Sequence, residues 1–287
     1  MKILLAGSGG FVGSKLALAL DQTDRHSVGF LKWEYPSWLF SQTKVTRSSQ
    51  AEAFDVDLVL LVGGAIPHSR SSLNDIEKAS ANVESTVALT KLPWKKGTRI
   101  VYLSSVDVYG PGSEISERTQ PNPQSLYGMS KYFSEKILQA FGSLHGHDIE
   151  ILRAATLYGP GDSGLQKAIP SMIKSALGDR KVFVYGAGTD TRNFLYIDDL
   201  VEILMDFIDL ERRPKVVNLV GREAVSVRQV ADLIARLCGV STTTVEALPA
   251  MESSGCQFDQ RLVLELFPGR RRPIEDGLRR TIEEWVG

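Results

Sequence analysis

The sequence predicts an α/β fold: an open, doubly wound parallel sheet with a smaller C-terminal lobe. Three observations predict it. Short apolar runs alternate with amphipathic stretches through the first half of the chain. Each run is apolar at successive positions, the pattern of a strand covered on both faces. The length, 287 residues, is long for one minimal domain and short for three. Strand–helix alternation of this kind implies right-handed crossovers and a parallel sheet.

Taken in order, Ile3 to Ala6 predicts the first buried strand, and Phe11 to Leu20, with helical spacing, the first helix. Val28 to Leu31 and Asp57 to Val62 predict further strands, the latter ending at Gly63-Gly64. A helix is expected over Ser71 to Leu92, a strand over Ile100 to Leu103, a helix over Tyr127 to Phe141 and a strand over Ile149 to Leu152. From about Thr156 glycine, proline and charge become frequent, with a later helix near Val227 to Leu237 and an arginine run at Arg270-Arg271-Arg272. The expected division is a main domain over 1–155, rejoined by segments near 190–220, and a smaller lobe over 156–287.

Composition excludes several classes. Apolar residues make up 43%, charged residues 23%, and the mean hydropathy is -0.07, as in an ordinary globular chain. The 33 basic and 34 acidic residues give a net charge of -1, without the basic excess of a nucleic-acid binder. Cys238 and Cys256 cannot form a disulfide framework or a zinc site alone. No metal is expected, and two inert thiols fit a reducing compartment. No apolar run approaches the roughly 20 residues needed to cross a bilayer. The apolar start breaks at Gly7, too early for a secretory signal. A cytoplasmic location is expected.

Gly7-Ser8-Gly9-Gly10-Phe11-Val12-Gly13 follows the first strand and opens the first helix. Gly7 suits a tight turn, Gly10 a close approach to a pyrophosphate, and Gly13 close helix–strand packing. The helix N-terminus offers free N–H groups and partial positive charge to phosphate. A plain glycine turn is the simpler reading, but the placement between strand and helix favours a dinucleotide. The acid expected at the end of the second strand, which would bind ribose hydroxyls, is missing; Lys32 stands there instead. A cation suits a 2′-phosphate, so the cofactor is read as NAD or NADP.

Tyr127 and Lys131 are four apart, on one face of a helix. Ser104-Ser105 ends a strand about 22 residues earlier. A phenol with a pKa of about 10 is a poor base at neutral pH. An adjacent ammonium and an oxidised nicotinamide favour its phenolate. Tyr127 could then exchange a proton with a substrate oxygen as hydride moves, with Ser105 holding that oxygen and Lys131 contacting the nicotinamide ribose.

With these motifs in order the sequence resembles the extended short-chain dehydrogenase/reductase family, in its nucleotide-sugar epimerase/dehydratase branch. The likeness runs through Gly7-x-x-Gly10-Phe11-Val12-Gly13, Asn82-Val83-Glu84-Ser85-Thr86, Ser104 to Gly110, Tyr127 to Lys131, Leu152 to Gly161, Arg192 to Asp199, Asn218 to Gly221 and the tail Glu275 to Trp285. The resemblance implies a Rossmann domain with a C-terminal substrate lobe. It makes Ser105, Tyr127 and Lys131 the catalytic trio. It assigns Gly7, Gly10, Phe11, Val12, Gly13, Gly63, Gly64, Ala65 and Asn82 to the cofactor. It gives Arg192 to a substrate pyrophosphate and Thr156, with Ser105 and Asp107, to the substrate side. A nucleotide-diphosphate sugar is the implied substrate. A homodimer is implied, pairing the helices that hold Asn82 and Tyr127, with Phe133, Ile137 and Leu138 supplying apolar area or facing the chain's own sheet.

Within that resemblance, Val106 replaces the first of the two acids that dehydratases carry after the serine, which disfavours dehydration. Val106 also cannot serve as the cysteine of the GDP-fucose synthase type, and no histidine follows Gly159-Pro160-Gly161. Asp107 is read as a local cap or pair, with an extra acid/base as the alternative. Two reactions remain: epimerisation through a transient 4-keto sugar, and net reduction of a 4-keto sugar. Reduction of a non-nucleotide ketone or aldehyde and a non-catalytic NAD(P) sensor are the alternatives from other classes.

Overall fold

The computed structural model describes residues 1–23, 25–34, 37–42, 54–67, 69, 71–162, 167–246 and 255–286, with the side chains of 32–34, 37–42 and 71 outside that description. The first half runs β1 (Lys2–Ala6), α1 (Phe11–Asp21), β2 (Ser27–Glu34), β3 (Ser37–Gln42), β4 (Leu58–Leu61), α2 (Ile76–Thr90), β5 (Arg99–Ser105), α3 (Leu126–His145) and β6 (Asp148–Ala154). The second half runs β7 (Thr156–Tyr158), α4 (Ala168–Gly178), β8 (Lys181–Tyr185), β9 (Thr191–Tyr196), α5 (Ile197–Asp209), β10 (Val216–Leu219), β11 (Ala224–Ser226), α6 (Val227–Cys238), β12 (Ser241–Val245), α7 (Arg261–Leu266) and α8 (Ile274–Val286).

The main sheet has the order β10-β6-β5-β4-β1-β2-β3 and is parallel except for β3, which pairs antiparallel with β2 at the edge. That edge strand falls outside the sequence expectation. Successive residues of β1 enter opposite cores. Ile3 and Leu5 pack with Leu16, Leu20 and Leu200 on one face, and Leu4 and Ala6 with Leu89, Tyr102 and Leu138 on the other. Continuous apolar strands are the consequence of that double coverage.

Two helices depart from the expected bounds for identifiable reasons. The stretch expected to be one helix from Ser71 is divided, with a 3-10 turn over Ser71–Asn74 and α2 starting at Ile76. Asp75 makes the break, its carboxylate accepting from the N–H groups of Glu77 at 3.0 Å and Lys78 at 3.1 Å. Helix α3 runs four residues past Phe141 and stops at Gly146 in the left-handed region.

A second core lies between α4, α6 and α8 and two small sheets, β11-β9-β7 and β12-β8. The arginine run ties this region to α5. Arg270 holds Asp206 at 2.6 Å, Arg272 holds Asp199 at 2.7 Å, and Arg271 donates to the carbonyl of Val220 at 3.2 Å. Among the described residues, no helix is long and apolar enough to cross a membrane.

The sheet order sets the place of a site. The chain leaves β1 for β2 on one side and returns to β4 on the other, so a crevice opens beyond the carboxyl ends of β1 and β4.

Candidate active site

Two loops meet in that crevice. Ala6 pairs with Leu61, and its carbonyl accepts from the N–H groups of Val62 and Gly63, both at 3.0 Å. The loop after β1 therefore lies against the loop after β4. Gly7 has φ +100°, and a Cβ there would come within 2.4 Å of the Gly63 backbone. A Cβ at Gly13 would sit 1.9 Å from the Gly7 carbonyl oxygen. Both positions are closed to any larger residue by the chain's own packing.

Gly10 differs. A Cβ there would meet only the Gly7 carbonyl, at 3.6 Å, so nothing in the protein crowds it. Gly10 is also the N-cap of α1, whose first turn, containing Phe11, Val12 and Gly13, carries no acidic residue. An open backbone cradle at an unopposed helix N-terminus fits a pyrophosphate. The residues present thus fit a dinucleotide.

The loop after β4 is pinned from α2. Asn82, buried at 3% exposure, accepts from the Ala65 N–H at 2.7 Å and donates to the Ala65 carbonyl at 3.1 Å and to Ser130 at 3.2 Å. Next to it, a Cβ at Gly64 would stand 3.5 Å from the Lys131 ammonium. The glycine loops and the Tyr–Lys helix therefore share one crevice wall.

Ser125 caps α3, accepting from the Gly128 N–H at 3.0 Å, and so fixes the turn that carries Tyr127. Ser105 ends β5, its hydroxyl accepting from the Asp107 N–H at 3.1 Å and placed to donate to the Asp107 carboxylate at 3.2 Å. Asp107 keeps an exposed edge, yet the surrounding protein raises its carboxyl above the ordinary range, with Ser105 and Arg192 pulling the other way. Burial raises the Tyr127 phenol, the Asp107 charge raises it further, and a hydrogen bond with Ser105 opposes both. Lys131 donates to the Leu103 carbonyl at 2.8 Å and stands 4.5 Å from the centre of the Tyr102 ring. Burial lowers its pKa to about 8, against the charge of Glu135. The sequence predicts a phenol activated jointly by its lysine and by an oxidised nicotinamide. Here, burial and Asp107 hold Tyr127 neutral, so its ionisation depends on further positive charge arriving in the crevice.

Ser105, Tyr127, Lys131, Asp107, Asn82, Ala65 and the glycines are brought together, and Arg192, on β9, acts on Asp107 through its charge. Thr156 is exposed at the start of β7, in register with Phe194, two residues beyond Arg192. Lys32 lies in β2, its side chain outside the described residues.

Sequence reasoning missed the layer behind the site. Glu135 is fully buried and Arg153 is 4% exposed. Two signals are present: Glu135 falls four residues after Lys131, and Arg153 is a basic residue following the apolar pair Ile151-Leu152 in β6.

The model of the NAD dependent epimerase/dehydratase family matches residues 3–219, about three quarters of the chain, from β1 to the end of β10. The chain belongs to that family. Enzymes of this family are NAD-dependent epimerases and dehydratases of the extended short-chain dehydrogenase/reductase kind. Among curated relatives, an uncharacterized UDP-glucose epimerase, YtcB, of Bacillus subtilis (strain 168) is 29% identical over 266 residues, covering 85% of this chain and 84% of the relative. A dTDP-D-glucose 4,6-dehydratase of Mus musculus is 25% identical over 312 residues, covering 98% and 88%. Among solved structures, MoeE5 in complex with UDP-glucose and NAD superposes with a TM-score of 0.83 at 26% identity, covering 100% of this chain and 99% of that one. The sheet order and the crevice at its switch point are those of a Rossmann fold.

Proposed function

We propose that this member of the NAD dependent epimerase/dehydratase family is a nucleotide-sugar epimerase that reversibly oxidises C4 of a hexose. The observation that carries the reading is the convergence of Ser105, Tyr127 and Lys131 on the crevice between the two glycine loops. When bound, NAD supplies a hydride acceptor and, oxidised, a positive charge. The N–H groups at the start of α1, reached across Gly10, would hold its pyrophosphate. Asn82 pins Ala65 beside Gly64, so that this loop would lie along the cofactor, and Lys131 would contact its nicotinamide ribose. Tyr127 would accept the proton of the C4 hydroxyl as hydride passes from C4 to the bound NAD. Once the 4-keto sugar has turned, hydride would come back to the opposite face of C4 and Tyr127 would return the proton to the C4 oxygen. Ser105 holds the C4 oxygen by hydrogen bond, and Arg192 pairs with the diphosphate.

Two further features support this reaction. Val106 stands where dehydratases carry an acid, which argues against elimination of water. The B. subtilis relative is named for UDP-glucose epimerisation, and MoeE5 binds UDP-glucose with NAD. Both favour a UDP-hexose substrate. Residues 1–155 with 190–220 are proposed as the cofactor domain and 156–287 as mainly the substrate lobe. The unpaired thiols of Cys238 and Cys256 favour a cytoplasmic location.

A second reading, reduction of a 4-keto sugar by NADPH, is favoured by Lys32 in place of the ribose-binding acid. The nucleotide that copurifies separates the two: tightly held NAD supports the epimerase, and an empty site that fills with NADPH supports the reductase. The mechanism itself is tested by Tyr127→Phe. Conversion of UDP-glucose to its C4 epimer is expected to fall by about 10²–10⁴-fold with NAD affinity unchanged. Equal turnover in the two proteins would sink the mechanism.

A homodimer through α2 and α3 is also proposed. Ile76, Met129 and Phe133 are 69%, 48% and 57% exposed, and an apolar groove of about 560 Å³ runs between Val83, Leu126, Met129 and Phe133. Of the residues considered for this interface, Phe133 points outward, while Leu138 is fully buried against the chain's own sheet.

A further inference from the structure

Directly behind the trio lies a buried polar cluster that the mechanism above leaves unused. Glu135 sits one helical turn after Lys131 on α3, and Arg153 sits within β6. Arg153 grips both oxygens of Glu135, Nε to Oε1 at 3.0 Å and Nη2 to Oε2 at 2.7 Å. Ser104, the residue before Ser105, donates to Oε1 at 2.6 Å. On its other side Arg153 donates to the Tyr109 hydroxyl at 2.6 Å and stands 4.8 Å from the centre of that ring. The Tyr109 hydroxyl is 2.9 Å from Asn218 Oδ1 on β10. One carboxylate thus joins the strand that ends in Ser105, the helix that carries Tyr127 and Lys131, and, through Arg153 and Tyr109, the turn that carries Asp107.

A stability role does not account for such a cluster. A buried ion pair generally contributes little or nothing over well-packed apolar groups of the same volume. What it does supply is a fixed negative charge and fixed directions. Lys131 is buried against Leu103 and the Tyr102 ring of β5, has Tyr127 on its own helix, and has Asp107 across from that tyrosine on the turn. Arg153 of β6 faces it from behind Glu135, and Glu135 is the carboxylate whose charge acts on the ammonium.

We propose that Glu135, oriented by Arg153 and Ser104, is the positioning residue that keeps Lys131 cationic and in register with Ser105 and Tyr127. The inference rests on the Ser–Tyr–Lys reading, so its test needs a readout independent of turnover. Protein carrying ¹³Cε-lysine and saturated with NAD is titrated by NMR, with the Lys131 signal assigned by its loss in Lys131→Met. In Glu135→Gln the Lys131 midpoint is expected to fall by about one to two pH units. The alkaline limb of kcat for UDP-glucose moves with it, while KM stays within about twofold. Glu135→Asp, which keeps the charge, recovers most of the shift.

A folded Glu135→Gln with an unmoved Lys131 midpoint overturns the proposal. Should that variant not fold, Glu135→Leu/Arg153→Met replaces the pair with apolar groups and must still lower the midpoint, by less than Glu135→Gln because the Arg153 charge goes with it. Failure of both to fold also overturns it, because the pair would then be serving the fold rather than the lysine. Absence of UDP-glucose turnover in the wild type counts against the epimerase reading and leaves the midpoints to decide the role of Glu135.

Discussion

At Tyr127 three effects compete: burial and the Asp107 charge raise the phenol, and the Ser105 hydrogen bond lowers it. Removing the charge removes one of the two that raise it. Asp107→Asn is therefore expected to lower the Tyr127 pKa and move the acidic limb of the sugar-oxidation pH profile to lower pH. A shift upward would assign Asp107 another role. Lys131 gives a stability prediction of definite sign. Its pKa falls from 10.5 to about 8 on folding, so the unfolded chain binds its proton more tightly. Between those values the unfolded state holds more protons, and stability rises with pH. Below about 8 the native state carries the full cost of a buried ammonium. Lys131→Met should therefore abolish turnover yet stabilise the fold at pH 7 by about 1–2 kcal/mol. The gap to wild type should close as pH rises above 8. Denaturant titrations at several pH values measure it, and a variant less stable at pH 7 would contradict the account.

At the level of elements, the glycine loop after β1 separates glycines that the chain's own packing requires from one that it leaves uncrowded. Gly13 packs against the Gly7 carbonyl, whereas Gly10 faces open space. Gly13→Ala is expected to cost about 2–3 kcal/mol of stability through a backbone clash. Gly10→Ala should leave stability within about 0.5 kcal/mol, yet weaken NAD binding at least about tenfold, by about 1.4 kcal/mol. Thermal unfolding without nucleotide and NAD titration measure the two effects. Equal loss of stability in both variants would remove the distinction. The first helix and this loop were legible because strand, glycine spacing and helix are contiguous in sequence. The division of the second predicted helix was not. It depends on Asp75 turning its carboxylate back onto two N–H groups, while the apolar periodicity on either side runs on unbroken.

For the whole molecule, the open question at the surface is the apolar face of α2 and α3. Phe133 and Met129 lie on it, exposed, beside the groove. Light scattering is expected to give a dimer for the wild type and a monomer for Phe133→Asp, with the monomer still folded, because Phe133 contributes nothing to the buried core. A wild-type monomer at micromolar concentration would end the dimer proposal. The small sheets β11-β9-β7 and β12-β8 were also beyond the sequence. Their strands are three to six residues long and pair with partners remote in the chain, so periodicity carries little information about them.

The sequence alone determined the α/β class and the placement of the glycine loop between strand and helix, and it nominated Ser105, Tyr127 and Lys131. Those features are written in local patterns: apolar runs, glycine spacing and residues four apart on a helix. Only the tertiary structure decided that Tyr127 is held neutral, that Lys131 binds its proton weakly, and that Glu135 and Arg153 stand behind them. The physical reason is that these properties come from burial and from charges contributed by strands and helices far apart in the chain. Neither is fixed until the elements pack.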